Sequence, residues 1–200
     1  MTLSRLGIEE QPLPYEQYRS EAMNADILLW RPTTVWGRVI AAGTRGPWCH
    51  AAATKWARNG VNRLLSLQYR EGIGGYAIPT RDEVKRWPGK CDVFRVNLPK
   101  EKRLAIADTL MDTLGGTYAW SNIWLIALGY MPLVRWAHNL PISETWVNSR
   151  LADSAAMICS NYVDNGFGQH GVDFIRRESG LVTPNDIGRS SVPDYVGTLV

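Results

Sequence analysis

Two segments far apart in the chain carry a thiol and an imidazole in apolar settings: Trp48-Cys49-His50-Ala51-Ala52 and Met157-Ile158-Cys159-Ser160-Asn161-Tyr162-Val163. A cysteine sulfur becomes a potent nucleophile when an imidazole takes its proton, and a third polar group commonly holds that imidazole in one tautomer. His50 lies in a short stretch with strand character, and Cys159 in one with the character of a buried helix. Each also has a plain structural explanation. Cysteine often serves as a small buried hydrophobe, and a histidine on an apolar strand is often a core residue with its nitrogens satisfied. Cys49 adjoins His50, but successive strand side chains point to opposite faces, so the two do not pair. Cys91 precedes a strand, has no histidine near it in sequence and reads as structural.

The third group should come from the strand that follows the histidine. In Arg63-Leu64-Leu65-Ser66-Leu67-Gln68-Tyr69-Arg70-Glu71, the residues Ser66, Gln68 and Arg70 share one face, and Leu65, Leu67, Tyr69 and Glu71 the other. With the apolar set on the core, Gln68 is exposed on the opposite face, where a cleft could lie. Gln68 is therefore the expected partner of His50. Glu71 adjoins a glycine turn and is expected in solvent.

These residues need elements to position them. Asp26 to Arg31 is a compact β run stopped by Pro32, Cys49 to Trp56 is the next strand, and Asn59-Gly60 turns it into Val61 to Tyr69. Tyr76 to Ile78 closes at Pro79. Asp92 to Leu98 is a further strand, ended by Pro99. Thr80 with Glu83 three positions on forms a capping-box pattern for a helix over Arg81 to Trp87. Leu104, Ala107, Leu110, Met111 and Leu114 make a helical stripe over Lys100 to Leu114. Ser154 to Asp164 should form the cysteine helix, with Asn165-Gly166 as its stop. Residues 1–23 read as a polar lead-in with a short helix near Glu16 to Met23, and residues 32–47 mainly as loop with a helical turn near Val35 to Ala41. Short consecutive strands joined by glycine turns predict an α+β domain with a mainly antiparallel sheet packed on the cysteine helix.

Composition sets outer bounds. At 200 residues, the chain suits one domain able to bury roughly 70 % of its unfolded surface. A net charge of +3 with the signs mixed leaves no electrostatic footprint of a nucleic-acid binder. Three cysteines, Cys49, Cys91 and Cys159, without CxxC spacing, and three histidines, His50, His138 and His170, give neither a disulfide framework nor a metal-ligand pattern, so no metal or cofactor is expected. Free thiols suit a reducing compartment. The start of the chain lacks the apolar core of a signal peptide. The longest apolar run, Ile123 to Val134, is too short for a bilayer that needs about twenty residues. Nine tryptophans are numerous for this length, and they gather around Trp30 to Trp56 and Trp120 to Trp146. Most read as core and groove lining. The second group marks an aromatic-rich insertion over 119–147, expected to overhang the cleft and to bind a protein partner in preference to lipid.

Five stretches in order resemble the circularly permuted NlpC-type papain-like family, whose relatives include lecithin retinol acyltransferase-like proteins. Asn24-Ala25-Asp26-Ile27-Leu28-Leu29-Trp30 is similar to the family's Gly-Asp-Ile-Leu opening strand, and Trp48-Cys49-His50-Ala51-Ala52-Ala53 to its histidine strand. Gly116-Thr117-Tyr118-Ala119-Trp120 resembles Gly-x-x-Tyr-Asp-Trp. Ile158-Cys159-Ser160-Asn161-Tyr162-Val163 resembles the nucleophile motif, and Thr183-Pro184-Asn185-Asp186-Ile187 the Pro-x-Asp-Leu near the carboxyl end. The order histidine before cysteine is the reverse of papain. Departures are Asn161 for a common glutamate, Ala25 for glycine and Ala119 for aspartate.

The resemblance covers about residues 24 to 190 and implies a papain-like domain over 24–200, with Cys159 as nucleophile, His50 as base and Gln68 as orienting residue. It implies a peptidase or amidase acting through an acyl-enzyme, with a peptide of the bacterial cell wall as the expected substrate. Without a signal peptide, the expected location is the cytoplasm, or the cell wall by way of a secretion apparatus or phage particle. Two other functions remain open: a non-catalytic structural or interaction protein that keeps the fold, and a lipid acyltransferase or thioesterase.

Overall fold

The run Ile27-Leu28-Leu29-Trp30 has no polar alternation, and a strand with that pattern must be covered on both faces. In the computed structural model, which describes residues 2–57, 62–70, 73–115, 159–175 and 182–200, these four side chains are all fully buried. They form β2 (Ile27–Trp30), near the middle of a seven-stranded sheet with the order β1-β7-β6-β2-β3-β4-β5. The other strands are β1 (Pro12–Leu13), β3 (His50–Trp56), β4 (Leu64–Arg70), β5 (Gly74–Pro79), β6 (Cys91–Val96) and β7 (Pro193–Leu199). All neighbours run antiparallel except β1 and β7, which are parallel. The helices are α1 (Tyr15–Glu21), α2 (Val35–Gly43), α3 (Thr80–Arg86), α4 (Lys100–Asp112), α5 (Cys159–Gly168) and α6 (Pro184–Arg189). The class is α+β, with the strands expected at β2 to β6 in place; of the expected α4 stripe, Ala107 and Leu110 are buried and Met111 and Leu114 pack against the same core, joined by Ile106 in place of Leu104.

Each face of the sheet has its own core. Ile27, Leu29, Ala51, Ala53, Leu67 and Tyr69 face α4 and α5 and meet Leu110, Tyr162, Val163 and Phe167. Leu28, Trp30, Ala52 and Leu64 face the other way, where Tyr18 of α1 and Val84 and Trp87 at α3 cover them. Each large apolar side chain fully buried in this way contributes about 1.5–3 kcal/mol. Two carboxylates lie inside the sheet, and both are matched to cations, as buried charge requires. Asp26 receives Arg95 at 2.8 and 2.7 Å and also Arg103. Asp92 receives Arg31 through two bonds of 2.8 Å.

The structure differs from the sequence expectation in several places. The cysteine helix is described over Cys159–Gly168 and runs through Asn165-Gly166, past the stop expected at Asp164, while the start expected at Ser154 lies outside the described residues. Gly166 serves close helix approach rather than termination, because a Cβ there would lie 2.3 Å from Leu110 Cδ2 on α4. The turn comes later, at Gly171 with φ +69°. Val35–Gly43 is a full helix, capped by the Thr34 side chain accepting from Gly37 N–H, where mainly loop was expected. Strand β7 and helix α6 were not anticipated. The 119–147 insertion lies outside the described residues. No helix among the described residues is long and apolar enough to cross a membrane.

Candidate active site

The approach to His50 is fixed before the strand begins. Asn185, fully buried in α6, accepts a hydrogen bond from Trp48 N–H at 3.0 Å and donates to Trp48 C=O at 2.7 Å, so its carboxamide acts as a one-residue strand partner. Its amide also donates to the Thr44 hydroxyl. The capping box between Thr183 and Asp186 sets the start of α6 and so aims Asn185. The Trp48 indole N–H donates to buried Asp92 at 2.6 Å. A Cβ on Gly188 would lie 2.3 Å from the Trp48 ring, so α6 needs glycine there to lie flat on the indole. Trp48 is thus held by its backbone, its N–H and its ring, two residues ahead of His50.

His50 is the first residue of β3, and its Nε2 lies 2.6 Å from Gln68 Oε1 on β4. The Gln68 amide N–H₂ donates in turn to Glu83 Oε1 on α3, also at 2.6 Å. The Trp87 ring at the end of α3 lies nearly parallel to the imidazole, with centroids 6.5 Å apart. Gln68 therefore occupies the position beside His50 that the sequence predicted, but not in an open cleft. It is fully buried because α3 covers that face of the sheet. Glu83 was assigned to a capping box, and the structure corrects this. Thr80 is the first residue of α3 with no side-chain cap bond, and the Glu83 carboxylate turns inward to Gln68. A Thr-x-x-Glu spacing serves either use, so only the packing of α3 on β4 decides.

Cys159 arrives from the other face. It lies on α5, whose Tyr162 and Val163 pack with Ala51 and Ala53 of β3. Its thiol meets the backbone N–H groups of Ala51, Ser160 and Cys159 itself. Ala51 follows His50 directly and sits in a wedge. β3 and β4 pair only from Ala53/Leu67 to Trp56/Leu64; beyond that, β3 continues along β2 while β4 continues along β5. The His50–Gln68 bond lies on the α3 side of these strands, and the Cys159 thiol, beside Ala51 N–H, on the α5 side. The Ser160 hydroxyl donates to Val182 C=O at 2.6 Å and Asn161 accepts from Val182 N–H at 2.9 Å, tying α5 to the segment before α6.

Burial raises the Cys159 thiol above its ordinary range, and the three N–H groups work against that rise. Cys49 is pushed up to about 12, first by burial and then by the neighbouring Cys159. Its thiol donates to Trp30 C=O at 3.5 Å. Cys49 thus lies on the Cys159 side of β3, while His50 bonds Gln68 on the other. Cys91, buried at the start of β6, is raised by desolvation and then by Glu83. His170 bonds the Thr109 hydroxyl of α4 at 2.9 Å.

No family model and no curated protein sequence matches the chain. A solved structure of similar fold is that of the metalloprotein yiiX from Escherichia coli O157:H7, described as DUF1105, with a TM-score of 0.63. It is 14% identical, and the match covers 88% of this chain and 96% of that one. The likeness extends to the fold. Among the described residues, no group of three or more His, Cys, Asp or Glu side chains is arranged to hold a metal ion.

Proposed function

We propose that this protein is a papain-like cysteine hydrolase, a peptidase or amidase, with Cys159 as nucleophile and His50 as the base that accepts its proton. The observation that supports the reading is the buried His50–Gln68–Glu83 chain, with the Cys159 thiol beside the N–H of Ala51, the residue that follows His50. An imidazole whose Nε2 is bound by an acceptor keeps Nδ1 as its basic nitrogen. In the proposed reaction, the Cys159 thiol gives its proton to His50 and its sulfur bonds to an amide or ester carbonyl carbon. The leaving group departs with the proton returned from His50, and water then releases the acyl group. The N–H groups of Cys159 and Ser160 suit the developing oxyanion. A peptide of the bacterial cell wall is the proposed substrate class, on the family resemblance.

One observation favours a second reading, a non-catalytic protein that keeps the fold. Cys159 is only 4% exposed and its thiol is raised, as in an inert core cysteine. Iodoacetamide labelling with peptide mapping separates the two. The hydrolase reading expects Cys159 to label faster than Cys91, with that advantage lost in His50→Ala. Equal, His50-independent labelling of both thiols would sink the hydrolase reading.

A further inference from the structure

We infer that Glu83 is a positioning residue for His50: its carboxylate fixes the Gln68 carboxamide, which in turn fixes the histidine tautomer. This rests on reading His50 as the proton acceptor for Cys159. A glutamine amide can turn over, offering either its oxygen or its N–H₂ to a neighbour. Alone beside His50, Gln68 could accept from Nε2–H or donate to a bare Nε2, and the two arrangements select opposite tautomers. Glu83 removes the choice. An ionised carboxylate only accepts, so the amide N–H₂ must point at Glu83 Oε1 and the amide oxygen at His50 Nε2, each at 2.6 Å. His50 must then carry its proton on Nε2, which leaves Nδ1 as the lone pair able to take a proton from a thiol.

The surroundings make this lock firm. Gln68 is fully buried and Glu83 is 3% exposed, so water does not compete for either end of the amide. Charge-assisted bonds in such a site are stronger than neutral ones. Trp87, at the end of the same helix, lies alongside the imidazole, so α3 supplies both the carboxylate and a ring wall.

The test reads the tautomer directly, by the imidazole nitrogen shifts of His50 in long-range proton–nitrogen NMR. The wild type should show the Nε2–H form alone in its neutral state. Glu83→Gln keeps the shape but lets the residue at 83 donate as well as accept, so both tautomers should appear. The paired variant Q68E/E83Q moves the charge next to His50 and should restore the single Nε2–H form. A single Nε2–H tautomer in folded Glu83→Gln overturns the inference. If Glu83→Gln does not fold, the paired variant decides: folding with the Nε2–H form supports the lock, and failure to fold overturns it. Tautomer and thiol labelling are separate readouts. A lock that responds as expected beside an unreactive Cys159 would retire the hydrolase reading and leave the positioning role of Glu83 standing.

Discussion

Asn185 should be the residue whose loss most damages the approach to His50 without touching it. Asn185→Ala leaves Trp48 N–H and C=O without their partners in a fully buried place, while Thr44 keeps its own bond of 2.8 Å to Ile40 C=O. A buried backbone group left unsatisfied costs about 1–3 kcal/mol, so two of them predict a loss of about 3 kcal/mol. At about 2–4 °C per kcal/mol for a chain of this size, the melting temperature should fall by about 6–12 °C. Gly46→Ala should cause similar damage by another route. Its new Cβ would lie 1.9 Å from Asn185 Oδ1, so the carboxamide must swing away and give up the same bonds. The two substitutions therefore attack one contact, and the double variant should cost about 4 kcal/mol where independent effects would give about 6. Urea denaturation followed by tryptophan fluorescence measures the cycle, with Cys159 labelling as a readout of the site. Additivity within about 0.5 kcal/mol, or an Asn185→Ala loss below about 1 kcal/mol, would refute the argument that this carboxamide stands in for a strand.

Two further outcomes follow from the ionisable groups. Because burial holds the Cys159 thiol above its ordinary range, alkylation of the free protein should be slow at neutral pH and keep rising through the alkaline range; a plateau already reached at neutral pH would mean a preformed thiolate. Asp164, raised to about 6 by burial and then by Asp173, is protonated in the folded state where the unfolded chain has already ionised. Its contribution to stability is therefore present below the ordinary carboxylate range and lost as pH rises through about 6. Asp164→Asn should remove that decline in denaturation measured across this window, and an unchanged pH profile would refute the assignment.

Local pattern was enough to place β2 to β6. The unbroken apolar run at Ile27–Trp30 demanded burial on both faces, and alternation in β4 put Gln68 and Leu67 on opposite sides. The same alternation brought Gln68 beside His50 once the two strands were neighbours, because strand periodicity is a property of the backbone and survives any packing. Local pattern misled where one residue type serves two ends. Gly166 looks like a helix stop and is instead a groove for Leu110, and Glu83 looks like a cap and is instead bound to Gln68. Asn185 carried no signal as a strand substitute, since its partner Trp48 lies 137 positions away in sequence. Glycine contacts, carboxylate partners and carboxamide bridges depend on which distant surface arrives, and spacing along the chain contains no record of that. The residue types and their periodicity determined strands β2 to β6, the burial of the sheet's centre and the imidazole–carboxamide pair. Only the packing of α3, α5 and α6 on that sheet decided that a carboxylate would back the carboxamide, that the thiol would meet β3 at Ala51, and that Trp48 would be clamped from three sides.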